Sequence, residues 1–255
     1  RLRPYRIAWD GAWHLDLAAL EQGFGPDVRG VIVVQPNHPT GSCVEGAERE
    51  ILEALCERHG AAIIADEVFG DFPRPGREAP LPSFAEGARV PTFVLSGLSK
   101  VCGMPQMKLG WIAACGPEPA VTEALRGLGW IADLFLSVST SVQAALPQLL
   151  EARHAFQRAM RARLAENLAS LERLVGRRPE LSLLPADGGW AAVLRVPAVR
   201  GDEEWALALL EHDVVVHPGH FYDFAASDRL VLSLIPEPAV FEEGLARIEA
   251  LAGES

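Results

Sequence analysis

Three short apolar segments, each followed by polar residues, constrain the fold of this chain most strongly. They are GVIVV (30–34), AAIIADEV (61–68) and TFVLS (92–96). Short runs rich in β-branched residues predict strands, and the unbroken run at 30–34 predicts a strand covered on both faces, as in a parallel sheet. A fourth strand is predicted over LGWIAAC (109–115).

A helical pattern separates the first two predicted strands. Apolar residues recur at helical spacing from 47 to 55, Ser42 and Glu45 form a capping-box pattern before them, and Gly60 is a C-terminal stop signal. This alternation is typical of an open α/β sheet whose functional site lies beyond the carboxyl ends of the strands. We therefore predict an α/β large domain over residues 1–150, with a mostly parallel sheet and helices on both faces.

The second half of the chain predicts a different organisation. Residues 121–174 are mainly helical, with a long segment after Glu151 that we expect to link two lobes. Strands are predicted at LSLLP (181–185), WAAVLRV (190–196), VVVH (214–217) and RLVLSLI (229–235), with helices at 202–211 and 238–251. We predict a smaller α+β C-terminal domain over residues 151–255.

Composition limits the possible partners. The net charge of −11 and the isoelectric point near 5.1 disfavour nucleic-acid binding, which needs clustered Lys and Arg. No apolar stretch is long enough to span a membrane and the first residues lack a signal-peptide core, so we expect no membrane partner and a cytoplasmic location. The four cysteines show no CxxC spacing and the histidines no HExxH pattern, so we predict reduced thiols and no metal.

Only two of the 23 basic residues are lysines, Lys100 and Lys108. A lysine amine can lose its proton and form an imine with an aldehyde, whereas arginine stays charged. A chemical role for these two residues is one interpretation. Chance survival of two lysines in an arginine-rich chain is the other, and the count alone leaves both open.

Three strand-end segments occur in one order along the chain: QPNHPTG (35–41), ADEVFGDF (65–72) and SGLSKVCGMPQMKLGW (96–111). With the long helix and the small α+β lobe, this set resembles the class I/II aminotransferases of the aspartate aminotransferase fold (fold type I), which use pyridoxal 5′-phosphate. The resemblance extends from about Tyr5 to the C-terminus. It implies transfer of an amino group between an α-amino acid and a 2-oxo acid, and a homodimer.

The resemblance also implies roles for individual residues. Lys100 would form the internal aldimine with the cofactor and then act as acid and base. Asp66 would pair with the pyridinium nitrogen of the cofactor. Lys108 stands where the family usually has a phosphate-binding arginine, and Ser99, or Ser96 nearby, would add a hydroxyl contact.

Several positions depart from the family pattern. The asparagine expected before PTG is His38, with Asn37 one residue earlier, and the tyrosine expected three residues after Asp66 is Phe69. His38 still offers one hydrogen bond to the ring oxygen of the cofactor, whereas Phe69 has no hydroxyl. We keep Asn37, His38 and Phe69 as cofactor-binding candidates.

The site for the substrate carboxylate departs as well. Members commonly have an arginine two residues before a Ser or Asn near the C-terminus, and that position here is Val231. Arg229, two residues earlier on the same strand face, is the substrate-binding candidate. Arg195, His217 and His220 are weaker candidates. Trp190, Phe221 and Tyr222 are predicted as pocket walls or, equally, as core residues.

Elements that the resemblance implies before Tyr5 have no counterpart in this sequence. They are a phosphate-binding turn before a helix, an aromatic ring stacked on the cofactor, and a tyrosine that reaches over from the partner subunit. We therefore expect an N-terminally incomplete chain, either part of a longer protein or a shortened relative. Two further functions stay open: a lyase, decarboxylase or racemase with the same cofactor, or a shortened non-catalytic domain that serves as a partner or scaffold.

Overall fold

Two four-stranded sheets and a long helix make up most of the fold in the computed structural model, which describes residues 1–253. The strands are β1 (Ile7–Trp9), β2 (Trp13–Leu15), β3 (Gly30–Val34), β4 (Ala62–Asp66), β5 (Thr92–Gly97), β6 (Gly110–Cys115), β7 (Ser182–Leu183), β8 (Ala191–Arg195), β9 (His217–Pro218) and β10 (Arg229–Ser233). The α-helices are α1 (Leu17–Gly23), α2 (Gly46–His59), α3 (Leu98–Val101), α4 (Glu118–Leu134), α5 (Thr140–Arg177), α6 (Asp202–Glu211) and α7 (Pro238–Gly253). Short 3-10 helices cover Pro105–Met107 and Gly219–Tyr222.

The first sheet has the strand order β3-β4-β5-β6. Strands β3, β4 and β5 are parallel and β6 is antiparallel to β5, which confirms the predicted α/β class with a mostly parallel sheet. Strand β6 begins at Gly110, directly opposite the end of β5 at Gly97.

The prediction that strand 30–34 is covered on both faces is wrong. Val31 and Val33 are buried in a core that Leu52 and Leu55 of α2 complete. Ile32, which points to the opposite face, is 51% exposed. Alternate residues of a strand point to opposite faces, and among residues 1–253 only one face of β3 is packed. An apolar run shows which residues can be buried, but not that an element covers them.

Helix α2 differs from its prediction at the start and agrees with it at the end. It begins at Gly46 after Glu45, which makes no side-chain cap. The hydroxyl of Ser42 lies 2.8 Å from that of Thr40 inside the preceding loop, so the capping-box prediction is wrong. Gly60 ends the helix in a left-handed conformation with φ of 63°, as predicted.

Helix α5 connects the two halves of the molecule over 38 residues. Its first half packs on a core built around Leu98 and Val101 of α3, and its second half contributes Leu171 and Leu174 to the C-terminal core. The helix therefore links two packed regions, as the sequence predicts. The domain boundary expected at residue 150 falls inside α5, so the division into two domains stays a prediction.

The second sheet has the strand order β7-β8-β10-β9 and is antiparallel throughout. One face packs on α5, α6 and α7 in a core that includes fully buried Trp205, Leu194 and Leu230. The predicted strand at 214–217 is wrong in extent, since β9 contains only His217 and Pro218. The chain turns after α6 through Asp213, whose φ is 58°, so the three valines that follow do not pair as a strand.

None of the helices within residues 1–253 is both long enough and apolar enough to cross a membrane. The same residues contain no group of three or more His, Cys, Asp or Glu side chains that could hold a metal ion. The four cysteines are free thiols.

Candidate active site

The carboxyl ends of β3, β4 and β5 lie side by side. Val34 is the pairing partner of Asp66, and Asp66 is the pairing partner of Leu95. The loop after β3, the segment after β4 and helix α3 after β5 therefore emerge at one edge of the sheet. The three segments on which the resemblance rests are neighbours in space, and this carboxyl edge forms the candidate site.

Lys100 lies on the short helix α3 at the carboxyl edge. Leu98 and Val101 on the same helix are buried, which anchors α3, and the side chain of Lys100 is half-buried. Its Nζ atom lies 4.9 Å from the ring centroid of Trp190 and 5.5 Å from that of Phe69. Among residues 1–253 it makes no ion pair. Aromatic faces at this distance attract the ammonium group electrostatically and limit the water around it.

Four aromatic side chains form a wall beside the amine: Phe69, Phe72, Phe156 and Trp190. The ring of Trp190 lies 5.0 Å from that of Phe72, 5.5 Å from that of Phe69 and 6.5 Å from that of Phe156, in edge-to-face arrangements. Phe156 belongs to α5, whereas Phe69 and Phe72 follow β4. The aromatic wall thus joins both halves of the chain next to Lys100.

Arg74 holds the backbone on either side of Trp190. One guanidinium nitrogen donates to the carbonyl of Gly189 at 3.4 Å, and the other terminal nitrogen donates to the carbonyl of Ala191. Burial lowers the pKa of Arg74 to about 10, so the group stays charged at neutral pH. No local sequence signal predicts this contact, because the two segments are far apart in the chain.

Asp66 ends β4 and has a carboxylate with spare capacity for hydrogen bonds. Its Oδ1 atom accepts a hydrogen bond from the backbone N–H of Val68 at 3.2 Å, and Oδ2 has no hydrogen bond to residues 1–253. The neighbouring Glu67 is already engaged, because its Oε1 atom accepts from the backbone N–H of Phe84 at 2.7 Å. Burial raises the pKa of Glu67. Of these two acidic residues, Asp66 is the one available at the edge.

His38 belongs to the same group of side chains. Its ring lies 5.9 Å from that of Phe69 and 5.5 Å from that of Tyr222. Partial burial lowers the pKa of His38 below its ordinary value of 6.5, and the positive charges of Lys100 and His217 lower it further. The imidazole is therefore neutral near pH 7 and carries one N–H donor.

The remaining cofactor-binding candidates are Asn37, Ser99 and Lys108. The amide oxygen of Asn37 accepts a hydrogen bond from the hydroxyl of Thr40 at 3.0 Å, so it is used within the loop. Ser99 precedes Lys100 on α3 and is half-buried. Lys108 is exposed and adopts a left-handed conformation with φ of 53°, which costs a non-glycine residue about 1–2 kcal/mol. The N–H of Leu98 donates to the carbonyl of Leu109 at 3.0 Å, which keeps the backbone of Lys108 near the start of α3.

Arg229 packs against two aromatic side chains. Its guanidinium carbon lies 5.8 Å from the ring of Trp13 and 5.5 Å from that of Phe224, and Asp228 lies 3.9 Å from one of its nitrogens. Its side chain is 12% exposed. Phe224 in turn contacts the ring of Tyr222, at 6.4 Å, and Nε of Arg229 is buried without a hydrogen-bond partner in residues 1–253. Its role in substrate binding stays a prediction.

A hydrogen-bonded pair completes the group around His38. The hydroxyl of Tyr222 lies 2.7 Å from Nδ1 of His217. Sequence reasoning named each residue separately as a weak candidate and did not pair them. The pairing depends on the turn between β9 and Tyr222, which composition does not reveal.

Comparisons with known proteins identify the family of the chain. The family model for aminotransferase class I and II matches residues 1–248. This chain belongs to that family. It is 24% identical over 261 residues to nicotianamine aminotransferase B of Hordeum vulgare, which covers 98% of this chain and 46% of that protein. It is also 29% identical over 157 residues to an S-alkyl-thiohydroximate lyase of Arabidopsis thaliana, which covers 59% of this chain and 33% of that protein.

The solved structures show the same fold. The crystal structure of tyrosine aminotransferase from Leishmania infantum superposes with a TM-score of 0.88 and 21% identity, covering 100% of this chain and 63% of that chain. At this identity the likeness concerns the fold alone. The chain spans about half the length of curated relatives that it matches, at 46% for the barley enzyme and 54% for an alanine aminotransferase of Mycobacterium tuberculosis.

Proposed function

We propose that this protein is a pyridoxal-phosphate-dependent aminotransferase that transfers an amino group between an α-amino acid and a 2-oxo acid. The observation that carries the proposal is the amine of Lys100, which lies 4.9 Å from the ring of Trp190 at the sheet edge that also bears Asp66 and His38. Membership of the class I and II aminotransferase family supports the same activity.

The side chains at the carboxyl edge fit the cofactor that the family implies. Lys100 supplies an amine without an ion-pair partner among residues 1–253, and Asp66 supplies a carboxylate with one oxygen free of hydrogen bonds to those residues. His38 adds a neutral ring donor. Pyridoxal phosphate, when bound, supplies an aldehyde that condenses with amines and a ring that accepts electrons.

Lys100 and Asp66 carry the chemistry in this proposal. Lys100 would hold the aldehyde of the cofactor through Nζ, and the freed amine could take up and return a proton. Asp66 would accept a hydrogen bond from the ring nitrogen of the cofactor, and its negative charge would favour the protonated form of that nitrogen. The aromatic wall next to Nζ limits the water around the amine.

Four further side chains would contact the cofactor, and a fifth, Asn37, would support the loop that carries His38. His38 would donate its N–H to the ring oxygen, and Phe69 would pack beside the ring. Lys108 offers a positive charge to the phosphate and Ser99 a hydroxyl. The sequence suggests Arg229 for the substrate carboxylate, but its guanidinium packs against the rings of Trp13 and Phe224, so the carboxylate site is a separate question.

Product analysis tests this function. The purified protein with pyridoxal phosphate is incubated with pairs of an amino acid and a 2-oxo acid, and new amino acids are measured by chromatography. We expect a new amino acid with the natural protein and with Arg126→Ala, an exposed control, and none with Lys100→Arg, which keeps the charge but cannot condense. A chain that neither binds the cofactor in a calorimetric titration nor yields product would instead be a non-catalytic domain.

A lyase acting with the same cofactor is the second candidate. The match to the S-alkyl-thiohydroximate lyase of Arabidopsis thaliana favours it. A valine at position 231, where the resemblance implies a carboxylate-binding arginine, is compatible with a substrate that is held differently. Release of ammonia or carbon dioxide without a new amino acid, in the same incubations, would identify this reaction instead.

The proposed enzyme is a homodimer. Helix α4 supports this, because Leu125, Trp130, Ile131 and Leu134 on it are all more than half exposed. Exposed apolar residues in such number mark interaction surfaces. Light scattering is expected to give twice the monomer mass, and Trp130→Ser to shift the protein towards monomers. A monomer at all concentrations would contradict the proposal.

The cytoplasmic location stays a prediction.

A further inference from the structure

His217 stands directly beside Val231. In the antiparallel pairing of β9 and β10, Val231 is the partner of His217. Residues directly opposite each other in such a pair carry their side chains on the same face of the sheet, about 5 Å apart. Val231 is 5% exposed and apolar, whereas the imidazole of His217 is exposed. A polar group is therefore available next to the position where the resemblance implies an arginine.

Tyr222 connects this imidazole to the candidate active site. Its hydroxyl lies 2.7 Å from Nδ1 of His217, and its ring contacts that of His38 edge-on at 5.5 Å. His38 in turn lies beside Phe69, which Nζ of Lys100 contacts. Burial raises the pKa of Tyr222, so its hydroxyl stays protonated near neutral pH and can donate a hydrogen bond.

The electrostatic surroundings of His38 favour an anion. The charges that act on it come from Lys100 and His217, and both are positive when protonated. Arg74 is already engaged, because its guanidinium donates to the carbonyls of Gly189 and Ala191. Arg229 packs against the rings of Trp13 and Phe224, with Asp228 at 3.9 Å, and its Nε atom is buried without a hydrogen-bond partner in residues 1–253. A comparison of Arg229 with the Tyr222–His217 pair is therefore part of the test.

We propose that the hydroxyl of Tyr222 and the imidazole of His217 bind the carboxylate of the amino-acid substrate, in place of an arginine. The inference rests on the proposed function, since it assigns the carboxylate subsite of the same reaction. A hydroxyl and an imidazole form fewer charged hydrogen bonds than the two parallel bonds of a guanidinium fork. The pair therefore binds the carboxylate more weakly than an arginine would. Removal of either group is expected to raise KM rather than to lower kcat.

The test compares a variant that lacks only the Tyr222 hydroxyl with a control that lacks a tyrosine hydroxyl elsewhere. Tyr222→Phe removes only the hydroxyl and keeps the ring beside His38. Tyr5→Phe is the control, because it removes the other tyrosine hydroxyl of the chain, which donates to the carbonyl of Ile32 at 2.8 Å. His217→Asn and Arg229→Gln complete the set. KM and kcat are measured for alanine and for ethylamine, which lacks the carboxylate.

We expect Tyr222→Phe and His217→Asn to raise KM for alanine about tenfold or more, the effect of losing a hydrogen bond to a charged group. KM for ethylamine, and kcat for both substrates, should change less than twofold. Tyr5→Phe should match the natural protein. Equal losses for alanine and ethylamine would overturn the proposal. So would a rise in KM for alanine in Arg229→Gln without one in Tyr222→Phe.

A binding measurement separates this inference from the proposed function. Propionate, with propionamide as the uncharged control, is titrated calorimetrically into the protein. We expect Tyr222→Phe to weaken propionate binding at least fivefold and to leave propionamide unchanged. If the protein is an active aminotransferase and Tyr222→Phe binds propionate as well as the natural protein does, the inference is refuted and the proposed function is not. If Tyr222→Phe weakens propionate binding but the protein has no transaminase activity, the proposed function is refuted and the carboxylate site remains.

Discussion

The Nζ atom of Lys100 lies 4.9 Å from the ring of Trp190, a contact between residues from opposite halves of the chain. Trp190 is held by Phe156 of α5 and by Arg74 of the segment after β4, whose guanidinium donates to the carbonyls of Gly189 and Ala191. The surroundings of the amine therefore depend on how the second sheet packs against the first. A substitution that shifts Trp190 would alter the environment of Lys100 even if the first sheet kept its structure.

Truncation of Trp190 should destabilise the protein. Trp190→Ala removes the centre of the aromatic wall, and we expect a loss of about 2–4 kcal/mol in the free energy of unfolding, measured by urea denaturation. Trp190→Phe keeps most of the packing and should cost about 1 kcal/mol. Val199→Ala is the control, because Val199 is 62% exposed, and its effect should stay within about 0.5 kcal/mol. Equal losses in Trp190→Ala and Val199→Ala would contradict the role given to the aromatic wall.

Neutralisation of Asp66 should weaken function without unfolding the protein. Asp66→Asn can still accept the hydrogen bond from the N–H of Val68 but loses the negative charge. We expect kcat/KM to fall roughly ten- to a hundredfold, since a hydrogen bond to a charged group contributes about 1.5–3 kcal/mol. The melting temperature should hardly change. Asp71→Asn is the matched control nearby, and an equal loss of activity there would count against a specific role for Asp66.

His38 should make the stability of the protein depend on pH. Its folded-state pKa is lowered from 6.5, chiefly by burial and then by the charges of Lys100 and His217. The unfolded chain therefore binds a proton more readily than the folded one in the range just below pH 6.5. Stability contributed by His38 is present above this range and is lost as the pH falls through it.

The comparison that checks this is the natural protein against His38→Gln. Free energies of unfolding are measured by urea denaturation at pH 7.5 and at several values below 6.5. The natural protein should lose more stability on acidification than His38→Gln does. Parallel pH profiles for the two proteins would show that His38 titrates normally.

Two cysteines should resist alkylation in the folded protein. Burial raises the pKa of Cys43 and that of Cys56 to about 12, so at pH 8 only about one thiol in ten thousand is ionised. Cys115 is partly exposed and is the internal control. Mass spectrometry after iodoacetamide treatment should show Cys115 modified first, and all thiols modified once urea is added. Rapid labelling of Cys56 in the folded protein would contradict its burial.

The carboxyl edge of the first sheet could be predicted because the sequence patterns that identify its strands are local. Apolar runs that end at Val34, Asp66 and Gly97 identify neighbouring parallel strands, and their carboxyl ends must meet at one edge. The same signals say nothing about what covers a strand, which is why Ile32 is exposed although its run is wholly apolar. The valines at 214–216 show the same limit, since the turn through Asp213 outweighs their preference for strands.

Contacts between distant segments could not be predicted. Trp190 and Arg74 reach the site only after the two sheets pack together. The period-2 rule placed Arg229 on the same strand face as Val231, but it could not show that Trp13 of β2 and Phe224 would hold the guanidinium. His217 is a stronger candidate for binding the substrate carboxylate once the strand register is known, because the register places it opposite Val231.

Chemical trapping of the cofactor tests the central claim most directly. The protein is mixed with pyridoxal phosphate, reduced with borohydride, digested and mapped by mass spectrometry. This sequence contains two lysines, Lys100 and Lys108. We predict a pyridoxyl group on Lys100 in nearly every molecule and none after Lys100→Arg. Modification of Lys108 instead, or equal labelling of both lysines, would contradict the assignment.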